Sequence, residues 1–457
     1  MTFFDKYKPH YRTNLALAIP VVISQLGHTL VQFSDSVIVG HFAGTISLAA
    51  VSLANSIFII VMVIGIGISY GSTPLIAQLN SRNNSEECGK LLSNSLFINI
   101  ISGVALFVAV YGCSFLLDRL HQNVKVVQEA KPFLILLGLS VIPMLIFNTF
   151  KQFAEGLGFT KQAMLISIWG NVLNICLGII FVKGLFGVHP MGIKGVGYST
   201  LIDRCVMAVA MGVYVFKSSR FKKYLQSFVF TRISKERCLQ ILRIGAPVAL
   251  QYTFEISAFS CANLLIGTIG YHEQAAHQVA INLASMTYMM AGGLSAAATI
   301  KTGNHFGIGD HQNLRLSAIS SYHIVLMFML ITACIFTLGS QLLPWMYTTD
   351  KLVISIAAQL LIIAAFFQLF DGTQVVGLGV LRGMGDVNIP TIITFLAYWV
   401  FGLPVGYLLG ITFNLGVKGI WYGLTLGLMI SAILLFFRFQ FISKKHRDKT
   451  VAIIVQD

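Results

Sequence analysis

The sequence predicts an all-α integral membrane protein: twelve transmembrane helices in two six-helix bundles, related by pseudo-two-fold symmetry along the membrane normal. Three observations predict it. Of the 457 residues, 56% are hydrophobic and 11% charged, where a soluble chain carries about a quarter charged residues. Apolar runs of bilayer-spanning length recur from end to end. The second half of the chain also repeats the first. Twelve spans of about 20 residues occupy about 240 positions, so the loops are short and no large soluble domain fits. The same composition excludes disorder, a nucleic-acid-binding domain and a secreted disulfide scaffold.

The spans lie near residues 14–40, 48–76, 91–117, 132–150, 162–182, 195–216, 241–269, 276–300, 317–343, 354–381, 389–410 and 419–441. The first is too long for a cleavable signal peptide and contains Asp35. Assigned to alternate sides, 23 Lys and Arg fall with the termini and 7 opposite, leaving Arg204 inside a span. Basic residues favour the cytoplasmic face, so both termini are expected there. The net charge of +14 therefore sets orientation and does not mark nucleic acid as a partner. Eight basic residues lie in 217–243. Residues 217–240 thus read as a basic cytoplasmic connector between an N-terminal bundle, 1–216, and a C-terminal bundle with a basic tail, 241–457. The seven cysteines are scattered without CxxC or ligand spacing, which implies neither zinc nor a disulfide framework.

The repeat is visible at four places. AEGLGFTK at 154–161 aligns with LRGMGDVN at 381–388, and MGIKGVGY at 191–198 with LGVKGIWY at 415–422. Pro20 matches Pro247, while Ser69 and Thr73 match Ser295 and Thr299. The offset covers an even number of spans, so the halves share one topology, an arrangement typical of transporters. Pro20 and Pro247 lie inside the first helix of each bundle, where a missing N–H and a ring clash favour a kink.

A carboxylate at the bilayer centre costs roughly 2.5–3.5 kcal/mol on insertion scales and marks function by default. Asp35, Asp203, Glu255 and Asp371 occur within spans. Gln25, His28, Gln32 and Asp35 follow i, i+3, i+7 and i+10, which places them on one face of the first helix. Gln251 precedes Glu255 by one turn, and Gln368 and Gln374 flank Asp371. Two acids within one bundle can share a proton or cation, since a cation relieves their repulsion. Blander readings compete: Asp35 as a hydrogen-bond partner only, Asp203 offset by its neighbour Arg204, His28 bonded to Gln32 or Asp35, and Lys301 snorkelling to headgroups. Met286, Tyr288, Met289 and Met290 are ordinary core composition that would also suit a pocket for flat hydrophobic cations. With Tyr252 and Phe367, Met286, Tyr288 and Met289 are the candidate substrate-cavity residues.

One enzymatic signal has to be weighed. GxGD occurs at Gly307–Asp310 and Gly383–Asp386, and resembles the signature of intramembrane aspartyl proteases. The first-bundle equivalent of the second copy, Gly156–Phe159, keeps the glycines and loses the acid. That marks a glycine-rich turn better than a catalytic pair. HExxH, a P-loop and GxSxG are absent from the sequence.

Several segments together resemble multidrug and toxic compound extrusion (MATE) transporters, in particular the NorM-like bacterial branch. They are SDSVIVGHFAG at 34–44, TPLIAQLN at 73–80, GAPVALQYTFE at 245–255, AATIKTGNHFGIGD at 297–310 and FDGTQVVGLGVLRGMGD at 370–386. The resemblance implies a secondary transporter rather than an enzyme, exporting amphipathic organic cations in exchange for inward H⁺ or Na⁺ by alternating access. It implies coupling acids at Asp35, Glu255 and Asp371, with Asn174 and Thr200 as polar neighbours of Asp35. No cofactor follows beyond the coupling ion, and no metal beyond a transient Na⁺ at those acids. The expected setting is a monomer in the bacterial inner membrane, with small organic cations and the bilayer as its only partners. Two positions depart from the family pattern. Phe367 stands where NorM-like proteins with a second-bundle cation site carry a tyrosine, and Gly178 where a second asparagine is expected. Each removes an oxygen ligand, which shifts the expectation toward H⁺. A lipid-linked oligosaccharide flippase of the same superfamily is the alternative, but mid-span Arg and Lys for a pyrophosphate are nearly absent.

Overall fold

A computed structural model describes residues 3–117 and 124–454; the last residues of the basic tail, 455–457, lie outside the described residues. All regular structure among the described residues is helical. The first half comprises α1 (Phe3–Phe42), α2 (Thr45–Ser69), α3 (Ser72–Ser81), α4 (Ser85–Leu116), α5 (Val124–Gly156), α6 (Lys161–Lys183) and α7 (Ile193–Lys217). A short α8 (Lys222–Leu225) lies in the connector. The second half comprises α9 (Lys235–Gly267), α10 (Tyr271–Gly307), α11 (His311–Leu338), a short α12 (Leu342–Trp345), α13 (Lys351–Gly383), α14 (Asn388–Phe395), α15 (Leu403–Tyr407) and α16 (Gly416–Ile454).

Eleven helical stretches among the described residues are long and apolar enough to cross a membrane. The twelfth expected span is α9, whose apolar run is interrupted by Gln251, Tyr252, Thr253 and Glu255. Two spans are less regular than expected. The second breaks at Tyr70–Gly71 between α2 and α3, where a Cβ on Gly71 would collide with the backbone of Ile241 and Gly245. The eleventh, α14 to α15 and beyond, contains π-helical turns at Leu396–Gly402 and Leu408–Thr412.

Burial is reversed relative to a soluble helix. The buried positions of α6 are Ala163, Ser167, Gly170, Asn171, Asn174, Gly178 and Val182, while Leu165, Trp169 and Val172 are exposed. Apolar side chains face outward where lipid would lie, and small and polar ones pack inside. The same logic brings Gly402, Gly406 and Gly410 against Gly419, Gly423 and Gly427 of α16, where any Cβ would meet backbone.

The glycine-rich turns are built alike. Gly158, Gly309 and Gly385 all have positive φ, the left-handed region that glycine enters freely. Each is followed by a residue whose N–H bonds a carbonyl five back: Phe159 to Ala154 at 2.8 Å, Asp310 to His305 at 2.9 Å, Asp386 to Leu381 at 3.0 Å. Both GxGD acids have structural employment. Asp310 caps α11 through the Asn313 N–H at 3.0 Å, and Asp386 receives Arg438 Nε at 2.8 Å.

Contacts divide the chain into two compact units, one of residues 23–249 and one of residues 1–22 with 250–457. The repeat and the contact units have different boundaries, because α1 and α9 each change unit just after their prolines, Pro20 and Pro247. Inside each unit the helices pair correspondingly. In the first, α5 packs on α2, α3, α4 and α7; in the other, α13 packs on α10, α11 and α16. Thr73 donates to Gln152 at 2.5 Å in the first, and its counterpart Thr299 donates to the Gly379 carbonyl at 2.9 Å in the second.

Candidate functional site

In the unit containing residues 250–457, Glu255 of α9 and Asp371 of α13 are both buried, 5% and 3% exposed. The side chains of Tyr398 and Tyr288 lie beside Glu255. Tyr398 lies in the first π-helical turn, where the extra residue per turn shifts the register of side chains. Its hydroxyl in turn accepts from Gln374 Nε2 at 2.9 Å. Sequence reasoning passed over Tyr398, because a lone tyrosine in an apolar span carries no spacing signal.

Other expected members of this site have different employment. Phe367 sits in the core between Phe259 and Trp421, at ring centroid distances of 6.0 and 5.4 Å. Gln251 donates to the Val387 carbonyl at 3.2 Å and to Thr391 Oγ1 at 3.0 Å, tying α9 to the start of α14 instead of attending Glu255. Gln368 accepts from Thr332 at 3.1 Å. Tyr252 lies under the Arg382 guanidinium, 5.9 Å from ring centroid to Cζ. Tyr288 and Met289 are half-buried and Met286 exposed.

In the unit of residues 23–249, Asp35 is half-buried with Oδ1 enclosed and unpartnered among the described residues. Asn174 of α6 donates to Thr200 Oγ1 of α7 at 3.3 Å, so the two polar residues expected beside Asp35 do meet. A Cβ at Gly178 would stand 3.6 Å from Ser199 Oγ, so a hydroxyl faces the position of the missing asparagine. Along the α1 stripe, Gln25 and His28 are half-buried and Gln32 exposed. The expected bond from His28 to Gln32 or Asp35 does not form among the described residues.

Asp203 and Arg204 form no ion pair with each other among the described residues. The side chains diverge: Asp203 is 4% exposed, while Arg204 donates to Ser140 Oγ at 2.7 Å and lies 5.3 Å from the Phe58 ring centroid. Lys151 and Glu155 of α5 are also buried, 3.9 Å apart. Buried bases are thus commoner than the span boundaries suggested, because α5 and α13 extend past the apolar runs to enclose Lys151 and Arg382. No group of three His, Cys, Asp or Glu able to hold a metal ion lies among the described residues.

Two repeated sets of membrane-length helices, each burying carboxylates among amides and hydroxyls, fit a membrane transporter. The chain belongs to the MATE family: its residues 20–180 and 247–408 each match the MatE family. It is 33% identical over 450 residues to the multidrug resistance protein NorM of Photobacterium profundum, covering 98% of each chain. It is 33% identical over 446 residues to the multidrug resistance protein MdtK of Photorhabdus laumondii, covering 96% of this chain and 97% of that one. Its fold matches the crystal structure of the eukaryotic MATE transporter AtDTX14 with a TM-score of 0.87 at 20% identity, over 97% and 100% of the two chains. An outward-facing multidrug resistance MATE transporter gives a TM-score of 0.86 at 21% identity, over 96% and 97%.

Proposed function

We propose that this efflux transporter exports amphipathic organic cations in exchange for inward H⁺ or Na⁺, with Asp35, Glu255 and Asp371 as coupling acids. It works by alternating access as a monomer in the bacterial inner membrane, with both termini cytoplasmic. The observation that carries this reading is the burial of Glu255 and Asp371 beside two tyrosine hydroxyls and no ion-paired base among the described residues. Anionic carboxylates in a low-dielectric interior require a compensating positive charge or a proton. A transported cation supplies either. Relatives named for multidrug resistance support a broad range of organic substrates.

The test is efflux of a fluorescent organic cation from proteoliposomes under an imposed pH or Na⁺ gradient. Efflux driven by one gradient and abolished when it is collapsed is the expected result. Indifference to both gradients would sink the exchange mechanism.

A further inference from the structure

We propose that the connector of residues 217–240 is a docking surface for anionic phospholipid: its exposed bases hold the phosphodiester headgroups of the leaflet it borders.

The connector is a built structure. The Phe221 side chain is wholly buried, its ring centroid 5.4 Å from those of Phe159 and Tyr214 and 5.9 Å from that of Phe153. The Tyr224 hydroxyl donates to Asn80 Oδ1 at 2.6 Å, and the Tyr224 carbonyl lies where a Cβ on Gly89 of α4 would stand. Further on, the Ser234 N–H donates to Asn94 Oδ1 at 2.7 Å. Arg237 grips Glu87 through Nε at 3.0 Å and a terminal nitrogen at 2.9 Å. All these residues belong to the unit of residues 23–249. Setting orientation by positive charge requires only the composition of a loop. It does not require that the loop be fixed to α3, α4 and α5.

That fixing leaves the charge outside. No Asp or Glu occurs from Lys217 to Lys235. Lys217, Arg220, Lys222, Lys223, Arg232 and Lys235 are all exposed, and none of them forms an ion pair among the described residues. The acids at the start of α4 are already engaged, Glu86 by Lys90 and Glu87 by Lys90 and Arg237. Arg220 and Lys223 lie over the rings of Phe159 and Tyr224, 5.5 and 4.7 Å from the centroids, contacts that hold a cation without neutralising it. The segment also sits at the right height. It starts where α7 ends, at Lys217, and reaches the start of α9 at Lys235, with an apolar span on either side. Val229 and Phe230 are 38% and 49% exposed, close in the chain to Arg232. Bases clustered immediately outside a span attract anionic headgroups, and apolar side chains among them suit the boundary between headgroup and acyl chain. A soluble polyanion would match the charge but leave Val229 and Phe230 in water.

The experiment is native mass spectrometry of the detergent-purified full-length transporter, titrated separately with phosphatidylglycerol and with phosphatidylcholine. The unsubstituted protein is expected to bind phosphatidylglycerol the more tightly. Arg220→Gln, Lys222→Gln and Lys223→Gln together are expected to lower the ratio of the two affinities about tenfold, or 1.4 kcal/mol, within what three bases contribute at an anionic surface. Lys125→Gln, Lys183→Gln and Lys194→Gln together remove three exposed bases from the opposite ends of the helices and should leave the ratio unchanged. If the triple connector variant does not fold, Lys222→Gln with Lys223→Gln decides, with a fall of about fivefold expected. Equal affinity for the two lipids, an unchanged ratio in the connector variants, or an equal fall in the control would overturn the proposal. Displacement of phosphatidylglycerol by an equal concentration of inorganic phosphate, or tighter binding of an RNA oligonucleotide, would assign the surface to a soluble anion and overturn it as well.

Discussion

The Gln374 amide donates to the Tyr398 hydroxyl at 2.9 Å, linking α13 to the first π-helical turn three residues after Asp371. Tyr398 in turn neighbours Glu255. Residues of three helices thus meet beside one buried carboxylate, so the polar surroundings of Glu255 depend on the shape of the π turn.

Tyr398→Phe removes the middle member while keeping the ring against Phe259, 5.9 Å away. It leaves Gln374 without an acceptor and Glu255 with one hydroxyl fewer. A buried group deprived of its partner costs about 1–3 kcal/mol. The expected outcome is weaker ion-driven efflux, with the half-maximal ion concentration raised about fivefold or more. Efflux from proteoliposomes measures it, and an unchanged ion dependence would show that Tyr398 does not support Glu255.

The glycine contact between the eleventh and twelfth spans makes a prediction about stability. A Cβ on Gly423 would overlap the backbone of Gly406 and the Gly402 carbonyl. Neither obstacle is a flexible side chain, so the helices must part. Gly423→Val should destabilise the fold by about 1–3 kcal/mol, the usual cost of overpacking, seen as a lower melting temperature in detergent. Gly416→Ala is a useful contrast: no atom stands in the way of its Cβ, yet its φ of +62° makes the substitution strained for conformational reasons alone.

Asp310 and Asn84 cap α11 and α4 at equivalent places in the repeat, accepting from the N–H of Asn313 at 3.0 Å and of Glu87 at 3.1 Å. Losing such a cap costs about 1 kcal/mol. Although burial pushes the Asp310 carboxyl up, hydrogen bonds from the Asn313 side chain and backbone, with His305 and His311 nearby, hold it below its ordinary value. A depressed carboxyl adds stability that is present above the ordinary value of about 3.9 and disappears as pH falls through the folded value. Asp310→Ala should lower the melting temperature at neutral pH. Asp310→Asn, which supplies the cap its repeat counterpart uses, should keep most of it and abolish the part lost in acid.

The sequence made these turns and caps legible because their chemistry is local: Gly309 and Gly385 take a backbone region open to glycine, and Asp310 reaches an N–H three residues on. Asp35, Glu255 and Asp371 were legible because a carboxylate in an apolar run is rare. Tyr398, Ser199 and Ser140 were not, since each is an ordinary residue whose role depends on which helix lies opposite. Asp203 was visible, but its surroundings were not: it forms no ion pair with Arg204 among the described residues, since the two side chains leave the helix about 100° apart and Arg204 meets Ser140 and Phe58.

Neutralising the three acids one at a time separates the two units. Glu255→Gln and Asp371→Asn keep side-chain volume and hydrogen bonding but can neither release a proton nor balance a cation, so each is expected to abolish ion-driven efflux without unfolding the protein. Asp35→Asn applies the same test to the other unit, and the repeat provides no substitute. At the offset of the halves, Asp35 corresponds to about Ala262, which is wholly buried in the apolar core. The acids have therefore diverged between the units. If both contribute, the three variants should lose coupling while retaining substrate binding, measured by fluorescence titration at several pH values and Na⁺ concentrations. Full activity in Glu255→Gln and Asp371→Asn, with loss only in Asp35→Asn, would move coupling entirely into the unit of residues 23–249 and leave the buried Glu255 a structural role.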